Sequence, residues 1–368
     1  MAGRILALEP YYGGSHKNFL DGLAAVWPGG FDLITLPARK WKWRMRLSAP
    51  WLAAELAGML PGATSGYSCL LCSTFVDVAT FKGLAPAWAR ELPVLTYFHE
   101  NQFVYPVRVE DARDAHFALT NLTTALASDR LAFNSRYNYR TFLEGCTGLL
   151  KISSDMDLGD LPSLLDRKTS FINPGIDFTL ADSLDREMPE GKKPVVVWNH
   201  RWEHDKNPEE FFAAIDRLDQ EGVDFHLIVL GESFRECPDV FTEARKRFAL
   251  RILQFGYAGS REEYIGWLKK GDVVVSTAGH EFYGISIIEA VRAGCRPVLP
   301  NRLSYPELFP REFLYEEGGL FGKLKASLAL GALSNASARN LTERFSWDVL
   351  RERYIEWLSG ECYIDTRR

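Results

Sequence analysis

No apolar run in the 368-residue chain reaches the ~18 residues that a membrane span requires. The first residues, Met1 to Leu8, form a short strand-like run that stops at Glu9-Pro10 and shows no signal-peptide pattern. Cysteine is scarce: there are six, scattered and without zinc spacing. Cys69 and Cys72 sit inside an apolar strand-like run, where residues three apart point to opposite faces, so this C-x-x-C reads as core packing. H-E-x-x-H, G-x-G-x-x-G and Walker patterns are missing, which argues against metalloprotease, nicotinamide and ATP chemistry. Internal repeats and low-complexity tracts are also missing. These absences leave a globular protein, expected in a reducing cytoplasm. An apolar fraction of 46% supports sizeable cores, and the length suggests two domains.

Strand-like and helix-like segments alternate nearly throughout. In the first half Arg4–Leu8, Phe31–Thr35, Tyr67–Cys72, Val94–Phe98, Arg130–Phe133 and Thr169–Ile172 read as strands. In the second half Val195–Trp198, Phe225–Leu230, Arg251–Phe255, Asp272–Ser276 and Arg296–Leu299 do. Such alternation predicts an α/β protein with parallel sheets and crossover helices. Eleven strands suit two sheets better than one. The break falls in the loop-rich stretch from Asn173 to Gly191. In the last helix, Trp347, Leu350, Tyr354, Trp357 and Leu358 share one face.

The most informative stretch is Glu281-Phe-Tyr-Gly-Ile-Ser-Ile-Ile-Glu289. It follows an apolar strand and opens a helix, so Glu281 falls in the strand-to-helix loop and Glu289 about a turn and a half into the helix. Gly284 lets backbone approach a ligand, and the first helical N–H groups suit an anion. The unit offers a polar anchor, a phosphate seat and a second polar anchor, as a nucleotide-activated sugar needs. About eighty residues earlier, Arg201 and Lys206 flank a loop at the carboxyl end of the strand Val195–Trp198. Asn207, Pro208 and Glu210 then form a capping-box pattern. Ligands of open parallel sheets bind at such strand ends, and two cations suit a leaving diphosphate. The bland reading of both sites is surface charge on ordinary loops.

In the first half, Gly13-Gly14-Ser15-His16 follows strand one at a helix start, a seat for an anion or a sugar. Strand four ends in His99-Glu100-Asn101-Gln102, a dense polar cluster. Arg39-Lys40-Trp41-Lys42-Trp43-Arg44-Met45-Arg46 interleaves five cations and two tryptophans in a chain of net charge −5. Cations neutralise phosphates and aromatic faces stack on bases, so RNA is one reading. A membrane headgroup surface is another, and a solvated loop is the bland one.

Arg201, Lys206, Glu281 and Glu289 resemble the donor site of the family 4 retaining glycosyltransferases, which have the GT-B fold. That resemblance implies two Rossmann-like parallel-sheet domains facing a cleft, with a C-terminal helix crossing back to the first. The expected bounds are 1–175 for the acceptor domain, 176–345 for the donor domain and 346–368 for the returning helix. Arg201 and Lys206 would hold the donor diphosphate, Gly284 and Ile285 a phosphate, Glu289 the ribose and Glu281 the transferred sugar. Gly13, Gly14, Phe282 and Tyr283 would line the donor, with Gly256 and Tyr257 near its base. His99 would meet the transferred sugar or the acceptor hydroxyl. Glu100 would do the same or fix the histidine ring. Ser15, His16, Arg39, Lys40, Trp41, Lys42, Trp43, Arg44, Asn101 and Gln102 would lie on the acceptor side. Many members carry a glycine where this chain has Phe282. No metal ion or cofactor is expected.

Longer strings resemble one narrow group of that family, the tRNA-queuosine alpha-mannosyltransferases. They include Tyr12-Gly-Gly-Ser-His16, Leu36-Pro-Ala-Arg-Lys-Trp-Lys-Trp-Arg44, Tyr97-Phe-His-Glu-Asn-Gln102, Trp198-Asn-His-Arg-Trp-Glu203 and His280-Glu-Phe282. The likeness runs from about residue 4 to 310. It implies GDP-mannose as donor, queuosine in a tRNA anticodon loop as acceptor, and no stable membrane insertion. Two rivals stand beside this reading. One is a glycosyltransferase acting on a lipid or polysaccharide at a membrane surface. The other is a catalytically silent module that binds nucleotide sugar or RNA.

Overall fold

A computed structural model describes residues 3–60, 66–105, 115–152, 158–186, 193–232 and 238–360. Residues 187–191 of the stretch read as a linker, and 361–368 of the terminal segment, lie outside the described residues. The chain divides into two compact units, Met1–Ile176 with Trp347–Arg368, and Asp177–Ser346.

Unit 1 is built on a six-stranded sheet of order β2-β1-β3-β4-β5-β6. Its strands are β1 (Arg4–Tyr12), β2 (Phe31–Pro37), β3 (Tyr67–Ser73), β4 (Val94–Phe98), β5 (Arg130–Phe133) and β6 (Thr169–Phe171). All its ladders are parallel. Helices cover both faces, so a central strand such as Val-Leu-Thr-Tyr-Phe of β4 is buried along its whole length. The period of two sorts the side chains: Ile5 and Ala7 of β1 join one core, Leu6 and Leu8 the other. Cys69 and Cys72 are buried on opposite faces, as their spacing predicts.

Helix α1 (Gly14–Val26) packs on the first face, and α2 (Trp41–Ala57) on the second. Beside α1 lies the terminal helix. Its five buried residues are Trp347, Leu350, Tyr354, Trp357 and Leu358, the face read from the sequence. The Trp347 indole sits so close to Gly22 and Gly175 that a Cβ on either would approach it to 2.1 or 2.2 Å. Those two glycines are there because backbone and indole must touch. The Tyr354 hydroxyl donates to the Asn173 carbonyl at 2.8 Å and anchors the helix to the segment after β6.

Unit 2 repeats the plan with a sheet of order β12-β11-β10-β7-β8-β9, again parallel. The strands are β7 (Val195–Asn199), β8 (His226–Leu230), β9 (Ile252–Gly256), β10 (Val273–Val275), β11 (Arg296–Pro300) and β12 (Leu314–Tyr315). Two-residue β12 is too short to leave a pattern and adds a twelfth strand to the eleven expected. The helices that matter here are α3 (Pro208–Gln220), α4 (Arg261–Lys270) and α5 (Ile285–Arg292), followed at the chain's end by the terminal helix, α6 (Trp347–Ser359) of unit 1.

In both sheets the chain reverses its direction of growth beside the first strand. β1 lies between β2 and β3, and β7 between β10 and β8. Loops leaving adjacent strands diverge at such points, which opens a crevice at their carboxyl ends. The motif residues fall at these ends. Among the described residues, no helix is long and apolar enough to cross a membrane.

Candidate active site

In unit 2 the loop after β7 and the loop after β10 are laced together by backbone. The Gly279 and His280 amides donate to the Asp205 carbonyl at 2.8 and 3.2 Å, and the Thr277 hydroxyl donates to the Lys206 carbonyl at 2.8 Å. This lacing delivers the Lys206 ammonium to three oxygens. They are the His280 carbonyl at 2.6 Å, Asp205 Oδ2 at 3.1 Å and Glu281 Oε2 at 3.4 Å. Lys206 is 6% exposed, so this is a buried cation matched to two carboxylates. Burial alone would lower its pKa; Glu281 and Asp205 outweigh that and raise it. Burial pushes the Glu281 carboxyl up, and Lys206 and then His200 pull it below its usual value. Both partners are therefore charged around neutrality.

His200 and His280 border the pair. Burial and then the Lys206 charge drop each to about 4, so both rings are neutral at physiological pH. Arg201 lies near enough for its charge to be felt at Lys206, His200 and His280; its guanidinium also pairs with Glu203 at 3.1 Å. The capping box does not form: the Asn207 backbone amide donates to the His204 carbonyl at 2.9 Å. Asn207 takes the left-handed N-cap conformation (φ 51°), and its side-chain amide donates to Glu210 Oε2 at 2.6 Å instead of capping the helix amides.

Gly284 starts α5 at φ 98°, a conformation that disfavours a side chain, and leaves the first amides of the helix at the strand end. Glu289, one of the six buried residues of α5, pairs with Arg261 of α4 at 2.6 Å. Tyr264 links this corner to β7: its hydroxyl accepts from Asn199 Nδ2 at 3.0 Å, and Asn199 also donates to the Ser286 carbonyl at 2.8 Å. Phe282 is buried edge-on against the His280 ring, and Tyr283 is buried near Phe345, so the bulky residue after Glu281 packs inward. Gly256 ends β9 at φ 121° with open space around it, and Tyr257 beside it is exposed.

In unit 1, Glu9 is buried near the carboxyl end of an extended β1, and it is 1% exposed. The sequence reading ended this strand at Leu8 and passed over Glu9. Its carboxylate meets His16 Nδ1 at 3.0 Å, while Glu100 Oε2 lies 3.4 Å from His16 Nε2. The ring that Glu100 steadies is thus His16 rather than His99. The His99 ring lies 4.2 Å from that of His16, centroid to centroid. Gly14, first residue of α1, has φ 52°, and a Cβ on Gly13 would come within 2.5 Å of the Ala38 Cβ. Ser15 is exposed on the first turn.

Two acceptor-side expectations change. Asn101 is fully buried: its amide donates to Asn138 Oδ1 at 2.9 Å and Thr141 Oγ1 at 3.0 Å, and its oxygen accepts from the Phe103 amide at 3.0 Å. These bonds make Asn101 an organiser of the loop after β4, with no group left for an acceptor. Gln102 is tied through its backbone amide to Asn121 at 2.8 Å. The basic-aromatic segment is helical rather than a loop. Lys40 is the left-handed N-cap, and residues 41–46 open α2. Trp41 packs on Phe117, and Arg44 points back to the Pro37 carbonyl at 3.4 Å. Lys42, Trp43, Arg46 and Leu47 lie outside, with Trp43 64% and Leu47 54% exposed.

Glu9, Asp205, His200, Arg261, Tyr264 and Asn199 were not anticipated. Glu9 had a signal, since it continues the phase of Ile5 and Ala7. Arg261, Tyr264 and Asn199 meet partners distant in sequence, which no local pattern records, while Asp205 pairs with its neighbour Lys206. Among the described residues, no three His, Cys, Asp or Glu side chains group as a metal site requires.

Two parallel-sheet units, each with charged residues gathered at the carboxyl ends of its strands, are the plan of the GT-B fold. Solved structures of that kind superpose over nearly the whole chain. Anabaena HepE in complex with UDP has a TM-score of 0.69 at 15% identity, covering 97% of this chain and all of HepE. The catalytic domain of Arabidopsis thaliana starch synthase IV, bound to ADP and acarbose, gives 0.69 at 12% identity, covering 97% and 98%. In sequence, residues 182–320 match the glycosyl transferases group 1 family, and residues 4–176 match the tRNA-queuosine alpha-mannosyltransferase N-terminal family. The tRNA-queuosine alpha-mannosyltransferase of Drosophila melanogaster is 34% identical over 332 residues, covering 87% of this chain and 85% of the fly protein. The chain belongs to the tRNA-queuosine alpha-mannosyltransferase family, as the sequence strings implied.

Proposed function

We propose that the protein moves mannose from GDP-mannose to queuosine in a tRNA anticodon loop, with retention and without a metal ion. The observation that carries this reading is the 34% identity to the fly enzyme, which runs through both units. The site chemistry agrees with it. As the glycosidic bond breaks, negative charge grows on the departing diphosphate, and a preorganised cation there lowers the barrier. Lys206, held by Asp205 and Glu281, is such a cation, and Arg201 adds a second. The amides at the start of α5 take a phosphate, Glu289 the ribose hydroxyls and Tyr257 the base. Glu281 positions the sugar, and His99 meets the sugar or the acceptor hydroxyl. The hydroxyl attacks from the face the diphosphate leaves, and a diphosphate oxygen takes its proton.

The exposed stripe of Lys42, Trp43 and Arg46, with Arg39 and Lys40 before it, suits RNA: cations for phosphates and an indole for a base. Such an acceptor implies work in the cytoplasm. The decisive experiment incubates the purified protein with GDP-mannose and queuosine-bearing tRNA, then digests the tRNA for mass spectrometry. A hexose on queuosine is expected. Absence of transfer, or transfer to a lipid fraction instead, overturns the reading. The exposed Trp43 and Leu47 also suit a headgroup surface, and liposome pelleting against a tRNA gel shift separates the two.

A further inference from the structure

Both ring nitrogens of His16 face a carboxylate, Glu9 at 3.0 Å and Glu100 at 3.4 Å. A neutral imidazole has one N–H, so its other nitrogen would present a lone pair to a carboxylate. Between two ionised carboxylates, only the doubly protonated ring satisfies both contacts. The geometry therefore suits a cation at this 5%-exposed ring. The titration tendency agrees. Burial works against protonation, but Glu9 and Glu100 outweigh it and lift His16 to about 10.

His99 rests on this cation, tilted by 35°, and is confined by Phe19 at 4.8 Å and Tyr97 at 4.7 Å. Burial, and then the His16 charge, hold the His99 ring well below the usual histidine range. The titratable or charged groups around His16 are Glu9 and Tyr11 of β1, and His99 and Glu100 after β4. Behind Glu9 lies Cys72 of β3, whose thiol is pushed up by burial and by Glu9, so it stays neutral.

We propose that Glu9, His16 and Glu100 form a carboxylate–imidazolium–carboxylate clamp that positions His99 for the transfer reaction, fixing the plane of its ring and placing a permanent positive charge beside it. His16 is then a positioning residue rather than an acceptor ligand. His99 keeps a lone pair for a substrate hydroxyl and does not shuttle protons. This rests on the reading that His99 meets the sugar or the acceptor hydroxyl.

The first test needs no substrate, so it stands apart from that reading. In the full chain with labelled histidine, NMR titration from about pH 5.5 to 8 should show His16 as imidazolium and His99 as neutral throughout. Titration of either ring near its ordinary value of ~6.5 overturns the clamp. The second test reads kcat/KM for transfer against pH. The wild type should show no acid limb near 6.5. His16→Gln removes the charge and leaves Glu9 and Glu100 to favour a protonated His99. Burial still opposes protonation, so an acid limb should appear at higher pH than in the wild type, with the rate falling about tenfold for each pH unit below it. His16→Lys restores the charge and should restore the flat profile. A flat profile in a folded His16→Gln protein overturns the proposal. If neither variant folds, the wild-type titration decides.

Discussion

Replacing Lys206 with alanine separates the chemistry of the site from its stability. The ammonium meets three oxygens, two of them carboxylate, in a nearly closed setting. Its removal should cost catalysis on the scale of one preorganised charge-stabilising group, at least ~100-fold in turnover, or about 2.7 kcal/mol of barrier. It should also cost stability, because Asp205 and Glu281 are left buried without their cation, a loss of about 3–5 kcal/mol. The two effects part company in the double variant Lys206→Met, Glu281→Gln. Removing the carboxylate with the cation should recover much of the melting temperature while turnover stays low. The assay is transfer at saturating donor, with thermal unfolding in parallel. Turnover within tenfold of wild type in folded Lys206→Ala would remove Lys206 from the diphosphate. The pair also fixes the sign of a pH effect. Glu281 is depressed in the folded state, so its contribution is complete above its unfolded value, 4.5. That contribution is lost as pH falls below 4.5 through the folded value. Without Lys206 the carboxyl is no longer held down, and acid unfolding should begin at higher pH.

Neutralising Arg39, Lys40, Lys42 and Arg44 should weaken tRNA binding and flatten the plot of log affinity against log salt by roughly 0.9 per lost phosphate contact, if the contacts are duplex-like; unchanged affinity would take the patch out of acceptor binding. Trp347→Ala should cost about 3–5 kcal/mol in denaturant unfolding, since the indole fills the space between Gly22 and Gly175; a loss under ~1 kcal/mol would show that the returning helix packs less tightly than its burial indicates. A chelator should leave transfer unchanged, and activity restored only by added metal would refute the metal-free mechanism.

Most of the fold was legible because its signals are local. A strand buried on both faces needs consecutive apolar residues, as in Val195-Val-Val-Trp198, and parallel strands need crossover helices between them. The face of the terminal helix followed from its 3.6-residue period, and the fates of Cys69 and Cys72 from a period of two. Candidate ligands were legible because ligands of parallel sheets gather where strands end. Lys206, Glu281, His16 and His99 all stand at such ends.

What those residues do there was decided by the tertiary structure, because a side chain's role depends on which groups distant in sequence are brought to it. Asn101 reads like its polar neighbours, yet Asn138 and Thr141 draw it into the interior. Glu289 meets Arg261 from another helix, and Lys206 meets Glu281 through backbone bonds between two loops. His16 and His99 look alike in sequence. Two carboxylates reach the first, and the second lies against it, tilted. Local pattern placed both rings at strand ends; burial and long-range Coulomb interaction made one a cation and left the other neutral.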